Sequence, residues 1–94
     1  MPRYMIMRTL PPLTAEQLED VRHTSTKVCN DLGVTWLRSH LTPDGKHSFC
    51  EYEAENEELI KQHSKISGIP FDEIVELGNV LLPVKREALR SPTR

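Results

Sequence analysis

The sequence is poor in the residues and patterns that mark several classes of protein. Only two of its 94 residues are cysteines, Cys29 and Cys50, so a disulfide-rich scaffold is excluded and we expect both to be reduced thiols. No run of about 18 apolar residues is present, which excludes a membrane-spanning helix. The first residues, MPRYMIM, lack the long apolar stretch of a signal peptide. These absences together predict a cytoplasmic protein.

Charge and motif content argue against two further classes. The formal net charge is -2, and the 12 lysines and arginines are scattered without interleaved aromatic residues, so nothing favours nucleic-acid binding. No glycine-rich phosphate loop occurs, and the H-E-x-x-H, G-x-S-x-G and C-x-x-C signatures are also missing. The sequence therefore carries none of the familiar enzyme signatures, which favours a non-enzymatic protein but leaves catalysis open.

Length and composition predict one small domain. Apolar residues make up 37% of the chain and charged residues 28%, which is typical of a globular protein rather than a disordered one. We expect residues 1–83 to form the domain and the polar residues 84–94 to form a flexible tail. The core of so short a domain is marginal, so association with a partner surface is expected to help it.

Capping and turn signals divide the domain into six elements. Thr14 and Gln17 fit a capping box that starts a helix, and Gly33 is a natural end for that helix. The sequence PDGK at 43–46 is typical of a turn between two strands. The other predicted elements are strands over 3–10, 34–42, 47–54 and 72–82 and a second helix over 55–68. This order predicts an α+β, ferredoxin-like βαββαβ fold, in which a four-stranded antiparallel sheet carries both helices on one face.

The alternation of side chains along the strands assigns them to two faces of the sheet. If Thr42 faces His47 across the turn, one side pairs His40 with Phe49, Arg38 with Glu51 and Trp36 with Glu53. A shift of one residue would exchange the two sides. In the stated register these pairs lie opposite the helices, on what we term the open face.

The open face is predicted to be partly apolar, which is unusual for a sheet with helices on one side only. Its predicted apolar residues are Met5, Met7, Trp36, Phe49, Val75 and Leu77. A second copy of the chain is the simplest cover for such a surface. We therefore expect a two-fold homodimer with the sheets packed face to face.

His40, Glu51 and Glu53 are the first candidate metal ligands, because all three fall on the predicted open face. Imidazole and carboxylate groups suit nickel, zinc or iron, and a second subunit could double the set. The alternative is an ordinary cross-strand ion pair between Arg38 and Glu51, beside a histidine packed on Phe49.

Cys50 and His63 form the second candidate group. The helical spacing of His63 with its apolar neighbours points it toward the sheet, where Cys50 and Tyr52 lie. A thiol and an imidazole could bind a metal ion or form an activated thiolate. The alternative is a buried histidine bonded to Tyr52 or to a backbone carbonyl. His47 cannot join Cys50 in one local site unless a bulge intervenes, because residues three apart on a strand point to opposite faces.

Three segments stand out by their sequence: WLRS (36–39), FCEYEA (49–54) and KQHSKISGIP (61–70). Together with the order of elements over about residues 3–83, they resemble a small bacterial family of ferredoxin-like proteins that includes a nickel-responsive, nickel-binding protein from an actinobacterium. The resemblance implies a dimeric ferredoxin-like fold and the binding of a divalent metal ion, with Ni²⁺ as the first expectation and other divalent transition metals as alternatives. The positions that match the family pattern are Cys50, Tyr52, Glu53 and His63.

Three functions are compatible with these observations. The first is a cytoplasmic, non-enzymatic homodimer that binds nickel for storage, buffering or response. The second is a dimeric α/β-barrel-type enzyme or binding protein that holds a small organic ligand in an apolar pocket on the open face. That pocket would be lined by Trp36, Phe49, Met5 and Met7, with His40 as a general base. The third is an interaction module whose apolar face only forms the dimer.

Overall fold

The six predicted elements are present in the computed structural model, which describes residues 1–90. They are the strand β1 (Arg3–Thr9), the helix α1 (Ala15–Leu32), the strands β2 (Thr35–Leu41) and β3 (His47–Glu53), the helix α2 (Glu57–Ser67) and the strand β4 (Glu73–Leu77). Neighbouring strands are antiparallel, in the order β2-β3-β1-β4. The prediction of a ferredoxin-like α+β fold is therefore confirmed.

The ends of the helices follow the signals in the sequence. Thr14 Oγ1 accepts a hydrogen bond from the backbone N–H of Gln17 at 3.1 Å, and Gln17 Oε1 accepts one from the N–H of Thr14 at 2.9 Å, which completes the capping box. Gly33 ends α1 with a φ of 71°, a left-handed conformation that glycine adopts at little cost. The Asn56 side chain caps α2 by accepting from the N–H of Leu59. No helix within residues 1–90 is long and apolar enough to cross a membrane.

β2 departs from the predicted register at one point. The predicted pairs of residues 38–41 with β3 are present, but the register shifts just before them, as at a β-bulge. Trp36 therefore pairs with Tyr52 instead of Glu53, and the prediction that Trp36 lies on the open face is wrong. Its ring stacks with that of Tyr52 at 6.4 Å on the helix-covered face, and its Nε1 donates a hydrogen bond to Ser39 Oγ at 2.9 Å.

β4 is shorter than the strand predicted over 72–82. It pairs with β1 only as far as Leu77, which lies opposite Arg3. β1 begins at Arg3 and is preceded by Pro2, which has no backbone N–H to donate, so the ladder ends there. The apolar residues 80–82, which indicated a longer strand, pair with no strand within residues 1–90 and are exposed.

Residues 78–90 form a C-terminal arm that extends from the domain. The radius of gyration is 16.9 Å, compared with about 12 Å for a compact chain of this length. The arm contains a short 3₁₀ helix, Arg86–Arg90, within the segment predicted as a flexible tail over 84–94. The last four residues of that predicted tail lie outside the described residues, and its flexibility stays a prediction.

The core lies between the two helices and one face of the sheet. Its buried hydrophobic residues are Tyr4, Ile6, Cys29, Val34, Cys50, Tyr52, Ala54 and Ile60. Both cysteines are buried free thiols. Several polar side chains are buried with them, including Arg8, Ser25, Ser48 and His63. The helix-covered face of the sheet is therefore chemically mixed, and the polar groups on it need individual partners.

Candidate functional site

The open face of the sheet combines apolar and charged side chains. Its apolar residues, by strand register, are Met5, Met7, Phe49, Val75 and Leu77. Phe49 and Val75 are 39% and 37% exposed, so this surface is accessible in the single chain. The charged and ionisable residues beside them include Arg3, Arg38, His40, Glu51 and Glu53. The first group of predicted metal ligands therefore shares one face.

Arg3 and Arg38 form ion pairs with the carboxylates of this face. Arg3 Nη1 lies 3.3 Å from Glu51 Oε2, and Arg3 Nη2 lies 3.0 Å from Glu53 Oε2. The hydrogen bond to Glu53 is the largest cause of a raised pKa of the Arg3 guanidinium. Arg38 Nη1 lies 3.6 Å from Glu51 Oε1, so the cross-strand ion pair weighed from the sequence is present. Two guanidinium groups therefore neutralise the two carboxylates in the single chain.

His40 lies diagonally across the strands from Glu51. It pairs with Phe49, two residues from Glu51 on β3, and such diagonal neighbours have Cβ atoms about 7–8 Å apart. No group of three or more His, Cys, Asp and Glu side chains within residues 1–90 is placed to hold one metal ion. Within residues 1–90, the side chains of one chain therefore do not form a closed nickel site.

His63 of α2 points into the core and is 1% exposed. Its Nε2 lies 2.9 Å from Ser25 Oγ of α1, and its ring packs against Tyr52 with centroids 5.3 Å apart. Burial, with the positive charge of Arg8 as a smaller cause, lowers the pKa of His63 to about 4. His63 is therefore neutral at pH 7 and is bonded to Ser25, a partner that the sequence did not predict. Within residues 1–90 its Nδ1 has no hydrogen-bond partner.

Cys50 and His63 lie on the helix-covered face, opposite Glu51 and Glu53, as the alternation along β3 predicted. The Cys50 thiol donates a hydrogen bond to Ser48 Oγ at 3.6 Å, whereas His63 bonds to α1. No hydrogen bond joins Cys50 to His63, both of which are described. The two candidate groups therefore cannot form one site, and the thiolate–imidazole arrangement is not formed.

Arg8 is a buried cation that sequence reasoning missed. It is 3% exposed on the helix-covered face of β1. Its Nη1 donates to Ser64 Oγ at 3.3 Å and to the carbonyls of Ile69 and Pro70 at 3.0 and 2.9 Å, and its Nη2 donates to Tyr52 Oη at 3.4 Å. No carboxylate within residues 1–90 forms an ion pair with it. The alternation along β1 was the available signal, because Arg8 is in phase with the buried residues before it.

A cavity of about 550 Å³ lies between α1 and the helix-covered face of the sheet. Its floor consists of small side chains of β2 and β3, Ser39, Ser48 and Cys50, which leave space beneath the helix. The apolar residues that border it include Leu10, Leu13, Leu18, Val21 and Leu41, and Arg8, Trp36 and Tyr52 also border it. The second hypothesis from the sequence placed an organic-ligand pocket on the other face. Of the residues predicted to line that pocket, only Trp36 borders this cavity.

The arrangement defines a ferredoxin-like α+β domain with a charged open face and a polar cluster in its core. Residues 4–77 match the family model described as "Nickel responsive protein SCO4226-like", and the chain belongs to this family. The family resemblance of the sequence is therefore confirmed. The match ends with β4, so the C-terminal arm lies outside it.

Among solved structures, the crystal structure of SCO4226 from Streptomyces coelicolor A3(2) is similar to this chain, with a TM-score of 0.74 and 20% sequence identity. The similarity covers 84% of this chain and 99% of that one. At this level of identity the likeness supports the fold alone. No curated protein matches the chain.

Proposed function

We propose that this protein is a non-enzymatic, cytoplasmic homodimer that binds nickel for buffering or response. The observation that carries the proposal is the match of residues 4–77 to a family described as nickel responsive, because that match spans the whole ferredoxin-like domain. Nickel is therefore the first metal to test. Other divalent transition metals that accept imidazole and carboxylate ligands, zinc above all, are its competitors.

The nickel ligands in this proposal are His40, Glu51 and Glu53, contributed by two subunits. Within residues 1–90 of one chain, no three His, Cys, Asp or Glu side chains are placed to hold one metal ion. Two open faces packed against each other on a two-fold axis would contain each of the three proposed ligands twice. Glu51 is suited to an enclosed site, since only 14% of its side chain is exposed. In the single chain, Arg3 and Arg38 form ion pairs with these carboxylates, and the ion pairs would break when the metal binds.

The apolar part of the open face supports the dimer. Phe49 and Val75 are each more than a third exposed, and Met5 and Met7 lie on the strand between them. An apolar patch on an otherwise polar small domain is typical of a protein interface, and its burial contributes roughly 25 cal/mol per Å². A second copy packed sheet to sheet would cover this patch and exclude water from the carboxylates.

Calorimetric titration of the metal-free protein with Ni²⁺, and separately with Zn²⁺, tests the proposal. We expect saturable nickel binding with a Kd of about 1 μM or tighter. Two double variants separate the candidate sites: Glu51→Gln with Glu53→Gln on the open face, and Cys50→Ser with His63→Gln on the helix-covered face. The first is expected to weaken nickel binding by at least about tenfold, and the second to leave it unchanged.

His23→Gln is the control for these variants, because His23 is an exposed histidine on α1 whose side chain is 80% exposed. If nickel binding is lost only in the Cys50→Ser, His63→Gln protein, the nickel site lies on the helix-covered face. The absence of saturable binding for both metals would remove the proposal.

A further inference from the structure

The cavity beneath α1 lies outside the proposed nickel site. It is on the helix-covered face of the sheet, whereas His40, Glu51 and Glu53 are on the open face. Its volume of about 550 Å³ is far larger than the space that one water molecule needs. Pockets that bind small molecules have volumes of about 300–1,000 Å³. The cavity therefore has the size of a ligand site.

Arg8 places a positive charge at the wall of this cavity, and no carboxylate within residues 1–90 forms an ion pair with it. Its side chain is almost fully buried, and all its hydrogen-bond partners within residues 1–90 are hydroxyl or carbonyl groups. Nη1 donates to three of these, whereas Nη2 makes one long bond of 3.4 Å to Tyr52 Oη. Buried charges in proteins are normally paired with an opposite charge, because removing an ion from water is costly. Nη2, with this single long bond, can therefore donate a hydrogen bond to a new partner.

Three ionisable side chains near Arg8 are neutral at pH 7. Burial raises the pKa of Tyr52 to about 12 and also raises the pKa of Cys29. Burial is also the main cause that lowers the pKa of His63 to about 4. The guanidinium of Arg8 therefore faces a neutral phenol, a neutral thiol and a neutral imidazole.

Part of the remaining wall of the cavity is apolar and suits an apolar ligand body. Leu18 and Val21 of α1 form its roof, and Leu41 and Trp36 of β2 border its opposite side. Leu41 is 48% exposed although it borders the cavity, so the cavity reaches solvent at this residue. The apolar part of a ligand that enters there would contact the leucine and valine side chains, and its polar end would reach Arg8 at the inner wall.

We propose that the cavity binds a small organic monocarboxylate, with the carboxylate on Arg8 Nη2 and the apolar body between α1 and the sheet. The carboxylate would supply the missing counter-charge and a charge-assisted hydrogen bond. An uncharged ligand of the same shape would fill the apolar part but leave Arg8 unpaired. The charge of the ligand is therefore the feature that the site recognises. This site is independent of nickel binding.

Calorimetric titrations of the full chain with hexanoate, octanoate and 3-phenylpropanoate, each beside the corresponding alcohol, test this proposal. At least one carboxylate is expected to bind with a Kd of about 100 μM or tighter, and at least about tenfold more tightly than its alcohol. Trp36 is the single tryptophan of the chain and borders the cavity, so its fluorescence should change with the same saturation curve. The proposal is overturned if no carboxylate binds below about 1 mM, or if the alcohols bind equally well.

Two variants locate the site. Arg8→Gln should weaken carboxylate binding by at least about tenfold and leave alcohol binding unchanged. Because Arg8 also bonds to the Ile69 and Pro70 carbonyls, circular dichroism must first show that this variant folds.

Val21→Trp keeps Arg8 and narrows the cavity, so it should abolish binding even if Arg8→Gln does not fold. Val80→Trp on the exposed C-terminal arm is the matched control. Wild-type affinity in the Val21→Trp protein would reject the cavity as the site.

Discussion

At the residue scale, His63 should make the stability of the protein depend on pH. Its pKa is lowered from 6.5 to about 4 in the folded chain, so the unfolded chain binds a proton more readily between these values. Its contribution to the free energy of unfolding is therefore present above about pH 6.5 and is lost as the pH falls toward 4, by on the order of 2 kcal/mol. Urea unfolding between about pH 7.5 and about 4.5 measures this loss.

Two variants isolate the contribution of His63 from that of the carboxylates. His63→Gln should flatten the pH dependence over this range, while His23→Gln should not, since the His23 side chain is 80% exposed. An unchanged pH dependence in the His63→Gln protein would contradict the account of His63 as a histidine held neutral by burial.

Arg3 is expected to compete with nickel for the carboxylates of the open face. Arg3→Gln removes the guanidinium that contacts both Glu51 and Glu53 and should tighten nickel binding by about two- to fivefold, since a solvent-exposed ion pair holds its carboxylate only weakly. Calorimetric titration measures the change. Arg22→Gln, which removes an ion pair with Glu19 on α1, is the control. Weaker nickel binding in the Arg3→Gln protein would argue against these carboxylates as ligands.

The sequence predicted the buried position of His63 but not its hydrogen-bond partner. Its spacing among apolar residues of α2 was enough to place it in the core. Its bond to Ser25 depends on how α1 and α2 are placed relative to each other, and helical periodicity carries no information on that. Arg8 was missed because a charged side chain on a strand is usually exposed, although its phase in β1 matched that of buried residues.

At the element scale, the capping box at the start of α1 gives a direct prediction. Thr14→Ala removes the acceptor for the Gln17 N–H and should lower the free energy of unfolding by about 1 kcal/mol. Thr24→Ala, an exposed position in the middle of α1, is the matched control and should be neutral or slightly stabilising, because alanine favours helix. Chemical denaturation measures both. Equal effects of the two substitutions would contradict a capping role for Thr14.

The elements that local signals define were predictable, and those that depend on a partner strand were not. The hydrogen bonds of Thr14, of Gly33 and of the turn at 43–46 join residues that are close in the chain. The local sequence is therefore sufficient to identify these features. The bulge in β2 and the end of β4 depend on the neighbouring strands. Trp36 was placed on the wrong face because a bulge reverses the alternation on one side of it.

At the scale of the whole molecule, the predicted dimer rests on the apolar part of the open face. Phe49→Arg introduces a charge at its exposed centre and should convert the dimer to a monomer, since an unpaired charge in an apolar interface is costly. Ile66→Arg is the control, because Ile66 is 62% exposed on α2, away from this face. Sedimentation velocity of the three proteins measures the result. A Phe49→Arg protein that stays dimeric would place the interface elsewhere.

The fold and the family were predictable from the sequence of this molecule, but the contacts of the candidate metal ligands were not. The order of elements identified the ferredoxin-like sheet, and the segments of residues 36–70 carried the family resemblance. The same sequence could not show that Arg3 neutralises two of the candidate ligands, because Arg3 and those ligands lie about fifty residues apart in the chain. A site built by two subunits is also beyond what the alternation within one chain can define.

Native mass spectrometry of the metal-free protein, before and after addition of Ni²⁺, shows whether two subunits together form the nickel site. We expect a dimer that gains a fixed whole number of nickel ions, while any residual monomer gains none. The variant with Glu51→Gln and Glu53→Gln should remain dimeric and take up no nickel. Nickel bound to the monomer, or a dimer that takes up no nickel, would contradict a metal site formed between two subunits.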